Sequence, residues 1–160
     1  MVWLRLVHIV AGIFWVGSAL FSALVLIPTA RAAGPDGRRF VERLGRRLAP
    51  MVGVAMLLTI VPGFTMYGQL GRNWAASPMG RALGVGALAT ILAIFVFLGI
   101  NAPAAAKMGK LRKALAAQGT PSGSDTPELE ALASRMDRGT KITATLLLVA
   151  ASAMAVARYL

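Results

Sequence analysis

The chain has 160 residues, 57% of them hydrophobic, a mean hydropathy of +0.68, and 17 Lys and Arg against 6 Asp and Glu. So apolar a composition excludes an ordinary water-soluble domain, and the absence of cysteine excludes disulfides, thiolate metal sites and iron–sulfur clusters. A net charge of +11 in a soluble protein would suggest nucleic acid; here the charges collect in loops between apolar runs, and those loops have almost no aromatic residues for base stacking, so no nucleic-acid partner is expected.

Four runs are long enough to cross a bilayer as helices, which takes about 20 apolar residues. They cover residues 2–27, 49–70, 82–103 and 142–159. The expected fold is all-α: residues 1–160 form a single antiparallel, up-down four-helix bundle in the membrane, each helix satisfying its own backbone. The first run is too long for the apolar core of a cleaved leader, and His8 and Trp15 interrupt it, although Ala30-Arg31-Ala32 mimics a cleavage site.

After span one, Gly34-Pro35-Asp36-Gly37 predicts a turn. Arg38–Leu48 then has the pattern of a basic amphipathic helix that either lies on the membrane surface or leads into span two. Pro50 and Pro62-Gly63 are expected to bend span two. A short loop at residues 71–80 carries Trp74, which with Trp3, Tyr67 and Tyr159 suits an interfacial aromatic belt. Span three should end near Asn101, read as a helix-terminal cap, and continue beyond the membrane over 104–117. Residues 119–125 form a flexible break. Thr126, Pro127, Glu128 and Glu130 then carry the signals of a helix start, and that helix can run unbroken into span four.

The loops at 28–48 and 104–141 hold 13 of the 17 basic residues, and only Arg5, Arg72, Arg81 and Arg158 fall on the other side. The positive-inside rule places both long loops in the cytoplasm and both termini outside. Anionic lipid headgroups are the expected partners of the basic loops. All six acids fall on the cytoplasmic side, so no carboxylate is left for a proton relay within the membrane.

His8 is the only histidine. It shares a stripe with Gly12, Trp15, Ala19 and Ser22 at helical spacing, small or polar residues that in membranes face other helices. An ionisable residue in a span counts as a functional hypothesis. Met66 and Tyr67 at the end of span two and Met154 in span four should lie at a similar depth, with Arg5, Arg72, Arg81 and Arg158 around the outer rim. One reading is a haem b site: His8 as axial ligand, Met66 or Met154 as a second, Gly12 making space, Trp15 shielding the group, and the arginines pairing with propionates. A second reading gives copper(I) to His8, Met66 and Met154. The bland reading has His8 bonding a neighbouring helix and the arginines reaching lipid phosphate. Nucleophile-and-base catalysis has no support, since no serine or threonine has a carboxylate partner in the membrane. Thr143, Thr145 and Ser152 are expected to bond backbone carbonyls.

The segment Val7-His8-Ile9-Val10-Ala11-Gly12-Ile13-Phe14-Trp15-Val16-Gly17 resembles a first-helix pattern, His-x-x-x-Gly/Ala-x-x-Trp-x-Gly. That pattern occurs in small bacterial four-helix membrane proteins: the copper-resistance D domain, uncharacterised families related to it, and the membrane protoporphyrinogen oxidase. The membrane domain of a urate-oxidising cytochrome is similar in its first helix. Arg38-Arg39-Phe40, the stretch from Thr59 to Gly63, and Met154-Ala155-Val156-Ala157-Arg158-Tyr159 extend the likeness. The resemblance implies a four-helix bundle with His8 as a haem or metal ligand. The oxidase has a functional lysine near the start of its third span, where this chain has Arg81, and copper exporters are richer in histidine and methionine. The resulting expectation is a haem-binding membrane bundle for electron transfer or haem handling. The alternatives are an accessory or assembly subunit of a membrane complex and a copper permease-like protein. A homodimer that brings two copies of His8 to one haem is a further possible arrangement.

Overall fold

A computed structural model describes residues 1–69, 72–118 and 126–160, without the side chains of Arg72 and Asn73. The described residues are helical almost throughout, with no strand among them. The helices are α1 (Val2–Phe21), α2 (Ile27–Ala32), α3 (Gly34–Gly68), α4 (Pro78–Val96), α5 (Ala102–Ala117) and α6 (Pro127–Ala157), and a short 3-10 turn covers Arg72–Ala76. Wider π-helical turns at Ser22–Leu26 and Phe97–Asn101 join α1 to α2 and α4 to α5. Four continuous helices long and apolar enough to cross a membrane result: Val2–Ala32, Gly34–Gly68, Pro78–Ala117 and Pro127–Ala157.

Each π-turn lies just ahead of a proline. Ile27 N–H donates to the Ser22 carbonyl and Ala102 N–H to the Phe97 carbonyl, five residues back instead of four. Pro28 and Pro103 follow directly, and neither can donate. A proline also crowds the carbonyl four residues before it, and widening the preceding turn relieves that crowding without ending the helix. Both turns were missed in the sequence, where these prolines read as span ends. Asn101 is therefore no cap: it sits inside a continuous helix, buried, at the end of the second π-turn.

The expected four-residue turn after span one shrinks to a single residue, Ala33. Gly34 adopts φ +65°, which reverses the chain, and Pro35 and Asp36 already belong to the first turn of α3. Proline and an acid at those positions start helices as readily as they make turns. A Cβ at Gly37 would overlap the Ala30 carbonyl, so glycine permits the close return. The basic segment leads directly into span two, and α3 passes through both Pro50 and Pro62. At α6 the expected start is found: Thr126 Oγ1 accepts from the Leu129 amide at 3.3 Å. Ser77 caps α4 in the same way, accepting from Gly80 at 3.0 Å. The break at 119–125 lies outside the described residues.

Packing pairs α1 and α2 with α3, and α4 and α5 with α6, and the two pairs meet along α1 and α6. The core between them is built from Ala11, Trp15, Ala55, Ala93 and Leu147. Three of these five are alanines, small enough to let helix backbones approach closely, the packing expected where hydrocarbon removes any hydrophobic drive between helices. Most large apolar side chains point outward instead, among them Ile13, Leu24, Val61, Leu88 and Phe95. Only 17% of the most apolar window in each of the first three long helices is buried. An apolar shell of that extent around a small-residue core is what a lipid-facing bundle requires.

Candidate functional site

His8 sits on α1, partly buried, facing α3. Its Nδ1 lies 2.6 Å from the Thr59 carbonyl oxygen. A carbonyl can only accept, so Nδ1 carries a proton and donates, and the lone pair of a neutral ring then lies on Nε2. No other partner of the ring is found among the described residues.

Three features of α3 make that carbonyl reachable. Pro62, three residues on, opens the helix beside it. Gly63 lacks the side chain that would cover it: a Cβ there would lie 2.9 Å from Cε1 and 3.0 Å from Nδ1 of His8. Thr59 turns its own hydroxyl away, donating to the Ala55 carbonyl at 2.8 Å. Gly12, one turn after His8, completes the close approach, since a Cβ there would touch the Thr59 methyl at 3.6 Å. The stripe read in the sequence therefore does face a neighbouring helix.

The other expected site residues take the following positions. Trp15 is 5% exposed and belongs to the core between the helix pairs. Met154 packs on Gly86 of α4, where a Cβ would fall 3.0 Å from its Cγ. Met66 is partly buried on α3, three residues after Gly63. Arg5, Arg81 and Arg158 are exposed, and the Arg158 guanidinium lies 5.1 Å from the ring centre of Tyr159. The side chain of Arg72 lies outside the described residues. Among the described residues no three His, Cys, Asp or Glu side chains converge on one point. Tyr67 and Trp74 meet edge to face, ring centres 5.2 Å apart.

A second polar group lies at the other end of the bundle and was not read as a site. Asp137 is 6% exposed, and its Oδ2 pairs with Arg31 at 3.0 Å and Lys141 at 3.2 Å. Its Oδ1 has no hydrogen-bond partner among the described residues. One turn on, Asn101 donates through Nδ2 to the Thr140 hydroxyl at 3.0 Å, while its Oδ1 and the buried Thr143 hydroxyl have no partner among the described residues. Thr143 thus departs from the expectation that it bonds a carbonyl, whereas Thr145 meets it, donating to Lys141 at 3.0 Å. The sequence signal for Asp137 was its flanking by Arg135, Arg138 and Lys141, which reads as a solvated charge run. The contact from Arg31 across 106 residues of chain cannot be read from spacing. Arg112 pairs with Glu42, which ties the basic extension of α3 to α5 at the same end.

Comparison with protein-family models, curated proteins and solved structures finds no match to this chain.

Proposed function

We propose that this is a multi-pass membrane protein of the bacterial inner membrane, an antiparallel bundle with both termini outside, that binds haem b through His8 for electron transfer or haem handling. The pairing of His8 with Gly63, Gly12 with Thr59 and Ala30 with Gly37 supports the antiparallel arrangement, because residue numbers rise along α1 as they fall along α3. The Arg31–Asp137 and Glu42–Arg112 pairs support placing both basic loops at one end.

The observation that carries the haem reading is the 2.6 Å contact between His8 Nδ1 and the Thr59 carbonyl. A ligating histidine almost always donates its other ring N–H to a carbonyl or carboxylate, which fixes the tautomer and raises the basicity of the ligating nitrogen. The donor chemistry of the site fits haem: an imidazole whose Nδ1–H is held by a backbone carbonyl, which leaves Nε2 as the ligating nitrogen, with Gly63 against the ring. Bound haem would supply one-electron chemistry at the iron. The protein's part is to orient the imidazole through Thr59 and hold it in an apolar layer. Copper(I) held by His8 with methionine is the alternative ligand chemistry.

The test is the absorption spectrum of detergent-purified protein, oxidised and reduced, with a pyridine haemochrome assay. A Soret band that His8→Ala abolishes supports the reading. A colourless protein from haem-supplemented cells overturns it, and stable co-migration with other membrane proteins would then favour an accessory subunit.

A further inference from the structure

We propose that the groove between α6 and the second π-turn is a binding site for one anionic phospholipid, its phosphate held by Arg135 and Arg138 and an acyl chain laid along Ile100 and Ile142. The groove encloses about 420 Å³ and is lined by Ile100, Ala131, Arg135, Arg138 and Ile142. The inference rests on the membrane-spanning reading and is independent of haem.

The α6 members of the groove fall at spacings of four, three and four, so they form one stripe on one helix face. The stripe is graded. Ile142 and Ile100 sit where the apolar spans end. Arg138 lies about 6 Å further along the helix axis and Arg135 about 10 Å, at 1.5 Å of rise per residue. That is the step from acyl chain to headgroup. The charge is one-sided: neither arginine has a carboxylate partner among the described residues, in contrast to Arg31 and Lys141, which share Asp137.

Arg135 is also held in place, for a reason that begins with Pro103. The Gly99 carbonyl would normally accept from the amide four residues on, and that residue is Pro103, which has none. Arg135 Nη2 donates to this orphaned oxygen at 3.4 Å. One of five guanidinium N–H groups is used, and the remainder are available to a phosphate, which the planar fork matches in pairs. The π-turn thus anchors one arginine at the groove's edge. Basic pockets between transmembrane helices on the cytoplasmic side are a recurring means of holding anionic headgroups.

The experiment titrates purified protein in neutral detergent with phosphatidylglycerol, and separately with phosphatidylcholine of the same acyl chains, reading both lipid occupancy by native mass spectrometry and thermal unfolding. Phosphatidylglycerol should bind more tightly and raise the melting temperature more than phosphatidylcholine. Arg138→Gln, at a side chain that makes no bond within the described residues, should weaken phosphatidylglycerol about fivefold, and Arg135→Gln similarly. Arg138→Gln should leave the lipid-free melting temperature nearly unchanged, whereas Arg135→Gln also gives up the bond to the Gly99 carbonyl and should lower it modestly. Arg43→Gln with Arg46→Gln, in the separate groove that also holds Glu42, should leave phosphatidylglycerol binding as it is. Equal binding of the two lipids overturns the proposal. So does an equal loss from the Arg43/Arg46 pair, which would indicate diffuse attraction to basic loops, or an equal shift from inorganic phosphate, which would indicate a free-anion site. A protein that stays monodisperse without detergent would instead overturn the membrane reading itself.

Discussion

Gly63 decides whether His8 can hold its place. A methyl group there would lie 2.9 Å from Cε1, closer than side-chain carbons normally come, and neither backbone can retreat within the packed pair α1 and α3. Gly63→Ala should therefore push the ring off the Thr59 carbonyl and cost about 1–3 kcal/mol, from overpacking together with a lost hydrogen bond. Thermal unfolding of Gly63→Ala against His8→Ala checks this: combined, the two changes should cost less than their sum, because once the ring is gone the methyl has room. Additive costs would show that the ring does not pack on Gly63. The same logic applies at Gly139, where a Cβ would overlap Asn101 Oδ1 and come within 2.9 Å of Ile100 Cγ2. Gly139→Ala should be at least as costly, and Asn101→Ala should rescue part of it at the expense of the bond to Thr140. At this scale the sequence shows that His8 faces a helix, since its stripe is small and polar. It does not show what His8 touches, because its partner is a backbone carbonyl, and every residue type carries one.

The same prolines that mark span ends in the sequence act within elements as spacers. A proline deep in an apolar helix reads as a terminus or a kink, and a helix that widens by one residue leaves no mark in composition. The two π-turns differ in what they carry. The turn before Pro103 places Asn101 against Thr140 and leaves the Gly99 carbonyl to Arg135, so two interhelical bonds depend on it. The turn before Pro28 makes no interhelical hydrogen bond among the described residues. Replacing proline by alanine restores an amide donor and favours the ordinary turn, which rotates the residues just ahead of it. Pro28→Ala should then be neutral or stabilising by up to about 1 kcal/mol, since proline inside a helix is unfavourable. Pro103→Ala should destabilise by about 1–2 kcal/mol through the lost Asn101 and Arg135 contacts. Equal effects in thermal unfolding would mean that the π-turns are incidental. The start of α6 was the most legible boundary, since Thr126-Pro127-Glu128 carries a cap, a fixed φ and a favourable charge in three consecutive residues.

Across the whole molecule, three features of the described residues join the helix pairs: the small-residue core around Trp15, the Asp137 carboxylate shared by Arg31 and Lys141, and the Glu42–Arg112 pair. Four helices long and apolar enough to cross a membrane were legible because length and hydropathy are local properties. Which span packs on which was not, because spans that are apolar all round differ only in where their alanines and glycines fall. The charge asymmetry yields an orientation that can be read directly, and the absence of cysteine makes the test clean. Ala76, in the short loop before α4, and Ala117, at the end of α5, are both exposed. A single cysteine at either site is then the only thiol in the chain. If the basic loops are cytoplasmic, Ala76→Cys should react with a membrane-impermeant maleimide in intact spheroplasts, and Ala117→Cys only after permeabilisation. The reverse pattern would place 13 basic residues against the positive-inside rule, each disfavoured by the membrane potential at about 2.3 kcal/mol per charge per 100 mV. It would also put the His8 layer near the cytoplasmic face and the lipid groove on the outer leaflet. One labelling experiment therefore sets the side of the membrane for both proposed sites, and it does so without depending on whether either ligand is bound.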